Sequence, residues 1–205
     1  MVEAAERAWR PTDPWSGISP AQRATGDAGV RVVLCPDRGQ VDILAHDGKA
    51  AALIDVIAAV YGARLDERPR ACAGRAITFL WAGPHRWTAR AADPRIAADL
   101  ARHLDGLAAV VDQSASRVVL QMSGPKVRET LAKGVLVDLH PRAFGPGDVA
   151  LTQIAHIGAQ IWQIDAAPTF EIAVFRSLAG SFFHWLEASA APYGITIEAA
   201  SAMSG

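Results

Sequence analysis

An imidazole can move a proton or hold a metal near neutral pH, so histidines are the first candidates for chemistry. The chain of 205 residues carries six: His46, His85, His103, His140, His156 and His184. None has a second His or a Cys at metal-ligand spacing within its own run, so no zinc-type site is legible. His103 falls between apolar helix positions and His184 between Phe183 and Trp185, which predicts packed or interface side chains. His140 and His156 admit two roles, a hydrogen-bonded structural histidine or a contact to another chain. Gly145-Pro146-Gly147-Asp148-Val149-Ala150 has glycines spaced as in a dinucleotide loop. It follows a loop rather than a strand, however, and Pro146 removes an N–H that a phosphate would use. There is no GxxxxGK[ST] loop, no GxSxG elbow and no nucleophile beside a base. Asp138 and Arg142 read as a pair that shapes their loop. The expectation is a scaffold with no catalytic, cofactor-binding or metal-ligating residue of its own.

The elements that would position these residues alternate between two periods. Val30, Val32 and Leu34 predict one strand, and Val41, Ile43 and Ala45 the next. Gly48 to Tyr61 reads as a helix with Leu53, Val56, Ile57 and Val60 on one stripe, ended by Gly62. A polar loop, Ala63 to Gly74, leads to a hairpin over Ile77 to Ala91. Asp93-Pro94 opens a second helix, with Ile96, Leu100, Leu104 and Leu107 as its buried side. The order then repeats. A strand at Arg117 to Met122 precedes a helix at Pro125 to Lys133, with Gly134 as a left-handed stop. Val149, Leu151, Ala155 and Ile157 predict one further strand, and Phe170, Ile172 and Val174 another. Leu178, Phe182, Trp185 and Leu186 mark the last helix. Such a repeat predicts an α+β fold of two ferredoxin-like β-α-β-β-α halves, each a sheet covered by helices on one face. The expected divisions are an irregular arm over 1–29, halves at 30–110 and 111–198, and a tail over 199–205.

Composition narrows the partners. A net charge of -1 leaves no electrostatic footprint for nucleic acid or an anionic membrane surface. No apolar run approaches the roughly 20 residues of a membrane helix. The first residues carry acids and no apolar core, which predicts a cytoplasmic chain rather than a secreted one. Cys35 and Cys72 are far apart and predict reduced thiols. Trp9 and Trp15 could anchor the arm to a partner. Trp15, Trp81, Trp87, Trp162 and Trp185, with Phe144 and Phe183, require either a wide internal face or a second chain to cover them.

One stretch is more specific than these patterns. SGPKVRETLAKGVLVDLHPRAFGPGDVALTQ combines an SGP helix start, an LAKG helix end, a DLHPRAF loop and a GxxAxTxxAH strand. Together with LWAGPHRW further upstream, it resembles the gamma subunit of heterotetrameric sarcosine oxidase, over roughly Val30 to Tyr193. That family is in turn similar to the first domains of the folate-dependent aminomethyltransferase of glycine cleavage. The resemblance implies a complex that oxidises sarcosine, or a related secondary amine, and passes the one-carbon unit to tetrahydrofolate. It implies alpha, beta and delta subunits as partners. It places FAD, FMN, NAD and tetrahydrofolate on those other subunits and no cofactor on this one. Its role would be to stabilise the assembly against the large subunit.

Trp15, His140, Arg142, Phe144, His156 and Trp162 are the expected interface residues. In the aminomethyltransferase relatives, carboxylates follow the glycine that corresponds to Gly158. Here Ala159-Gln160-Ile161-Trp162 follows it, and an amide cannot serve as a proton donor to a folate amine. Two alternatives stay open: a stand-alone folate-binding aminomethyltransferase-like enzyme, and a small-molecule-binding regulatory domain.

Overall fold

The computed structural model describes Trp15, residues 28–36 and residues 39–199. The five-stranded sheet is built from β2 (Gly39–Ala45), β3 (Ala71–Ala73), β4 (Ile77–Gly83), β5 (Arg86–Ala91) and β6 (Ala108–Asp112), in the order β3-β4-β5-β2-β6. The six-stranded sheet has the order β11-β1-β7-β10-β9-β8. Its strands are β1 (Val30–Leu34), β7 (Arg117–Ser123), β8 (Val149–Ile154), β9 (Ile157–Asp165), β10 (Thr169–Phe175) and β11 (Ile195–Ala199). The helices are α1 (Ala50–Tyr61), α2 (Ile96–His103), α3 (Val127–Leu131) and α4 (Ala179–Ala190).

Each half is ferredoxin-like, as the repeat predicted, and each gains a closing strand that the periodicity did not reveal. β6 returns beside β2, and β11 returns on the β7 side of the other sheet. The strand at 30–34, expected in the first half, is the main correction. It is inserted in the other sheet, parallel to β11 (Val32↔Ile197) and antiparallel to β7 (Val32↔Met122). Alternation fixes which face of a strand is buried but not which sheet takes it. Both faces of β1 are compatible with either half, and pairing with β11 decides.

The extended run expected over 149–157 is a hairpin instead. β8 and β9 pair antiparallel around Ala155 and His156, which hold positive φ angles of 49° and 66°. Two left-handed residues give the turn a twist that matches the strands, and Asn-Gly is its usual signal. Ala-His concealed it. The turn is held from outside, because the Ala155 N–H donates to the Gly134 carbonyl at 3.0 Å.

Gly134 is not a left-handed stop, since its φ is not positive. It is a close-approach position. A Cβ placed there would lie 2.7 Å from the Trp185 ring. The Gly134→Val substitution must displace that indole and is expected to lower stability by roughly 1–3 kcal/mol. A thermal midpoint indistinguishable from wild type would refute this assignment.

The helices cover one face of each sheet. Leu53, Ile57, Tyr61, Leu100 and Leu104 fill the space over the five-stranded sheet with Phe79 and Trp87. Over the six-stranded sheet, Val127, Leu131, Phe182, Phe183 and Leu186 pack on Leu120, Phe170 and Ile172. Phe182 and Phe183 are both buried, so α4 has a wide internal face and hides both rings within the chain. Val60 and Leu178, expected in buried stripes, lie on the exposed sides at 36% and 37%. The helix-free faces of the two sheets meet each other, with Leu80, Val119, Val149, Trp162 and Ala173 between them. The result is four layers, helices outside and two sheets back to back. No helix among the described residues is long and apolar enough to cross a membrane.

Candidate functional site

The seam between the sheets holds Gln160, already singled out in the sequence, and charged groups on which sequence reading placed no role. Arg86, Thr88 and Arg90 point inward from β5, one on every second residue. Glu171, Ala173 and Phe175 do the same from β10. Arg90 and Glu171 meet as an ion pair at 2.5 Å, with side chains only 10% and 18% exposed. The Arg90 guanidinium also stacks on the Trp162 ring, 4.9 Å from its centroid, while its Nε is buried without a partner. A buried charge of this kind is stable only because its counter-ion is present.

Gln160 is the second tie. Its side chain is 2% exposed, and its amide N–H donates to the Trp81 carbonyl at 3.0 Å, from one sheet to the other. Gln163, also 2% exposed, accepts from Arg128 at 3.0 Å and donates to the Asp165 carbonyl at 2.6 Å. Arg128 lies over the Phe170 ring, and burial holds its pKa below the usual arginine value. The sheets are joined at their edges as well. The Ala71 N–H donates to the Gly147 carbonyl, the Val149 N–H donates to the Pro69 carbonyl, and Arg70 pairs with Asp148.

Beside the Arg90–Glu171 pair the seam opens into a cleft of about 600 Å³. Small residues make the room, Ala71, Ala73, Gly74 and Gly147 among them, and Leu80 and Trp162 form apolar walls. Among the described residues, no group of three or more His, Cys, Asp or Glu is placed to hold a metal ion.

The six residues expected at an interface divide into two sets. Trp15 (8% exposed), Phe144 (6%) and Trp162 (5%) are buried in this chain's own cores, so the expectation fails for them. Each of these aromatics buries a large apolar area, and the six-stranded sheet offers internal partners on both faces: Trp15 and Phe144 pack on its helix side and Trp162 in the seam. His140, Arg142 and His156 are exposed. The Asp138 carboxylate accepts from the His140 N–H at 2.8 Å, and His140 Nδ1 accepts from the Arg142 N–H at 3.2 Å. Asp138 therefore does shape its loop, through the backbone rather than by pairing with the Arg142 side chain. His103 is half-buried and touches Tyr61 and the Asp99 carbonyl, whereas His184 is exposed, which leaves only the interface role of the two expected for it. Burial, and then donation to the Asp99 carboxylate, push the Tyr61 hydroxyl well above its ordinary pKa. Cys35 and Cys72 are both half-buried, and burial raises the Cys72 thiol pKa. Trp9 lies outside the described residues.

Arg90, Gln160 and Glu171 carry one available signal in the sequence. Arg90 belongs to a polar row with Arg86 and Thr88, and Gln160 and Glu171 are polar residues inside largely apolar strands, which marks a face that meets something other than helices.

Comparison with known proteins agrees with this geometry. Residues 57–192 match the description "Sarcosine oxidase, gamma subunit family". A sarcosine oxidase subunit gamma from Corynebacterium sp. (strain P-1) is 32% identical over 171 residues, which is 81% of this chain and 82% of that one. A subunit gamma from Arthrobacter sp is 36% identical over 128 residues, and the match spans only 62% of that relative. Among solved structures, a chain of heterotetrameric sarcosine oxidase from Corynebacterium sp. U-96 superimposes with a TM-score of 0.78 at 25% identity. That match covers 89% of this chain and 95% of the other. The glycine cleavage system aminomethyltransferase T from Bartonella henselae shares the fold, with a TM-score of 0.59 at 14% identity. It covers 83% of this chain and 48% of that one. Carrying both the family's matched segment and its two-sheet architecture, the chain belongs to the sarcosine oxidase gamma subunit family.

Proposed function

We propose that this chain is the non-catalytic gamma subunit of a cytoplasmic sarcosine oxidase-type flavoprotein complex, and that it stabilises the assembly by packing on the large subunit. The complex would oxidise the N-methyl group of sarcosine or a related secondary amine and pass the one-carbon unit to tetrahydrofolate. FAD, FMN, NAD and tetrahydrofolate would be held by its other subunits, among the alpha, beta and delta partners. The observation that carries the non-catalytic reading is Gln160. An acid that serves a folate amine has to be protonatable and within reach. The residue in that part of the chain is an amide, 2% exposed and bonded to the Trp81 carbonyl. His140, Arg142 and His156 remain free to touch a neighbouring subunit.

A second reading, a stand-alone folate-binding enzyme, has the cleft in its favour, since the Glu171 carboxylate borders it. That carboxylate is already paired with Arg90, however, which opposes a role in proton transfer. Co-expression with candidate flavoprotein subunits, followed by size-exclusion chromatography, separates the two. A yellow complex that contains this chain in fixed stoichiometry is expected. A colourless monomer that binds tetrahydrofolate by itself would overturn the subunit reading.

A further inference from the structure

The two ends of the seam differ in how their arginines are neutralised. At the cleft end Arg90 has Glu171. At the other end Arg117 projects from β7, half-buried, with its guanidinium 4.4 Å from the centroid of the Phe175 ring. The nearby carboxylate is Asp42, whose effect Arg117 feels together with that of Arg86. Asp42 is already committed: it accepts from Arg86 at 3.0 Å and from the Thr88 hydroxyl at 2.8 Å. Among the described residues no carboxylate forms an ion pair with Arg117. Arg86 thus takes the nearby carboxylate, which leaves the Arg117 charge without an ion-pair partner in a partly dehydrated place. A charge removed from water without a partner is unfavourable, and a carboxylate brought from outside would relieve it.

The surroundings of Arg117 are apolar and exposed. Strand register sets Val111, Asp42 and Thr88 in one row of the five-stranded sheet and Ala109, Leu44 and Arg86 in the next. Both rows lie on the helix-free face. Leu44, Val111 and Phe175 are 48%, 49% and 43% exposed, so the sheets overhang each other here without closing. A cation stacked on Phe175, with Leu44 and Val111 exposed on the facing sheet, is the complement of an acidic residue flanked by apolar ones, a common composition at a protein interface.

We infer that this open end of the seam is a docking surface for the partner flavoprotein subunit, and that a carboxylate of that subunit pairs with Arg117 while apolar neighbours cover Leu44, Val111 and Phe175. The inference rests on the gamma-subunit reading and names where the partner sits. The surface differs from the loop that bears His140 and Arg142, and it comes from the tertiary structure alone.

The test uses the co-expressed complex. Arg117→Met and Val111→Glu are each expected to weaken association by about tenfold or more, the range for removing one member of a desolvated charge pair or placing a charge in an apolar contact. Arg117→Lys should retain part of the affinity, because it keeps the charge and loses the fork geometry. Val60→Glu, a like change on the exposed side of α1, should leave association unchanged. Oxidative labelling of the wild-type complex supplies a readout that no folding defect can mimic. Leu44, Val111 and Phe175 should be labelled far more slowly than their exposure in this chain implies. Variants that assemble as tightly as wild type, equal weakening by Val60→Glu, or full labelling of the three side chains would each overturn the inference and leave the subunit reading intact. If the wild-type chain joins no flavoprotein complex, both fall together.

Discussion

Replacing Glu171 with alanine is expected to destabilise the protein by about 3–5 kcal/mol, the range for stranding one member of a buried ion pair. Arg90 would be left 10% exposed with its Nε already unpartnered, and only its stack on Trp162 would remain. The double substitution Arg90→Met/Glu171→Leu should recover most of the loss. It returns an apolar contact to a seam already lined by Leu80, Trp162 and Ala173, and buried pairs are often replaceable by packed apolar residues at little net change. Urea unfolding midpoints of the single and double variants decide the matter. A single-variant loss below about 1 kcal/mol would mean that the sheets part enough for water to solvate Arg90, and the seam would then not be a dry interface.

The second large effect is expected at Gln160. Gln160→Glu replaces an N–H that donates to the Trp81 carbonyl with a carboxylate oxygen that faces it, in a position 2% exposed. At neutral pH the ionised form is both desolvated and repelled, and a loss of about 2–4 kcal/mol follows from an unpaired buried charge. The carboxyl would resist ionisation there, so its folded pKa would lie above the unfolded value. In that window the folded state binds more protons than the unfolded one, and stability falls as pH rises. The destabilisation should therefore be largest near and above neutrality and shrink in mild acid, where a protonated carboxyl can donate to the same carbonyl. A pH series of thermal midpoints for wild type and variant tests this. A variant as stable as wild type at pH 8 would show that the position is wet. A variant that gained tetrahydrofolate binding would favour the enzyme reading.

These outcomes depend on a seam that the sequence only hinted at. Leu53, Ile57, Leu100 and Leu104 repeat every three or four residues and announce α1 and α2 without further help, because helical burial is written in local spacing. The strands were legible for the same reason, although β6 and β11 were missed. β6 is a short edge strand whose alternate residues are exposed, and β11 is a five-residue run after the turn at Pro192 and Gly194, whose place beside β1 only the assembled sheet decides. Trp15, Phe144 and Trp162 looked like surface anchors, since composition reveals how much apolar area exists but not where the chain can hide it. The hairpin at Ala155 and His156 was hidden because its backbone is imposed by Gly134 and neighbouring strand pairing rather than by its own residues.

The sequence by itself determined the helices, most of the strands, the duplicated α+β plan and the family, because periodicity and a long specific motif are properties of neighbouring residues. Only the tertiary structure decided that β1 crosses to the other sheet, that the two helix-free faces pack together, and that Arg90 finds Glu171 whereas Arg117, among the described residues, forms no ion pair. Arg90 and Glu171 are 81 positions apart, and burial and Coulomb energy at such separations depend on where whole sheets come to rest.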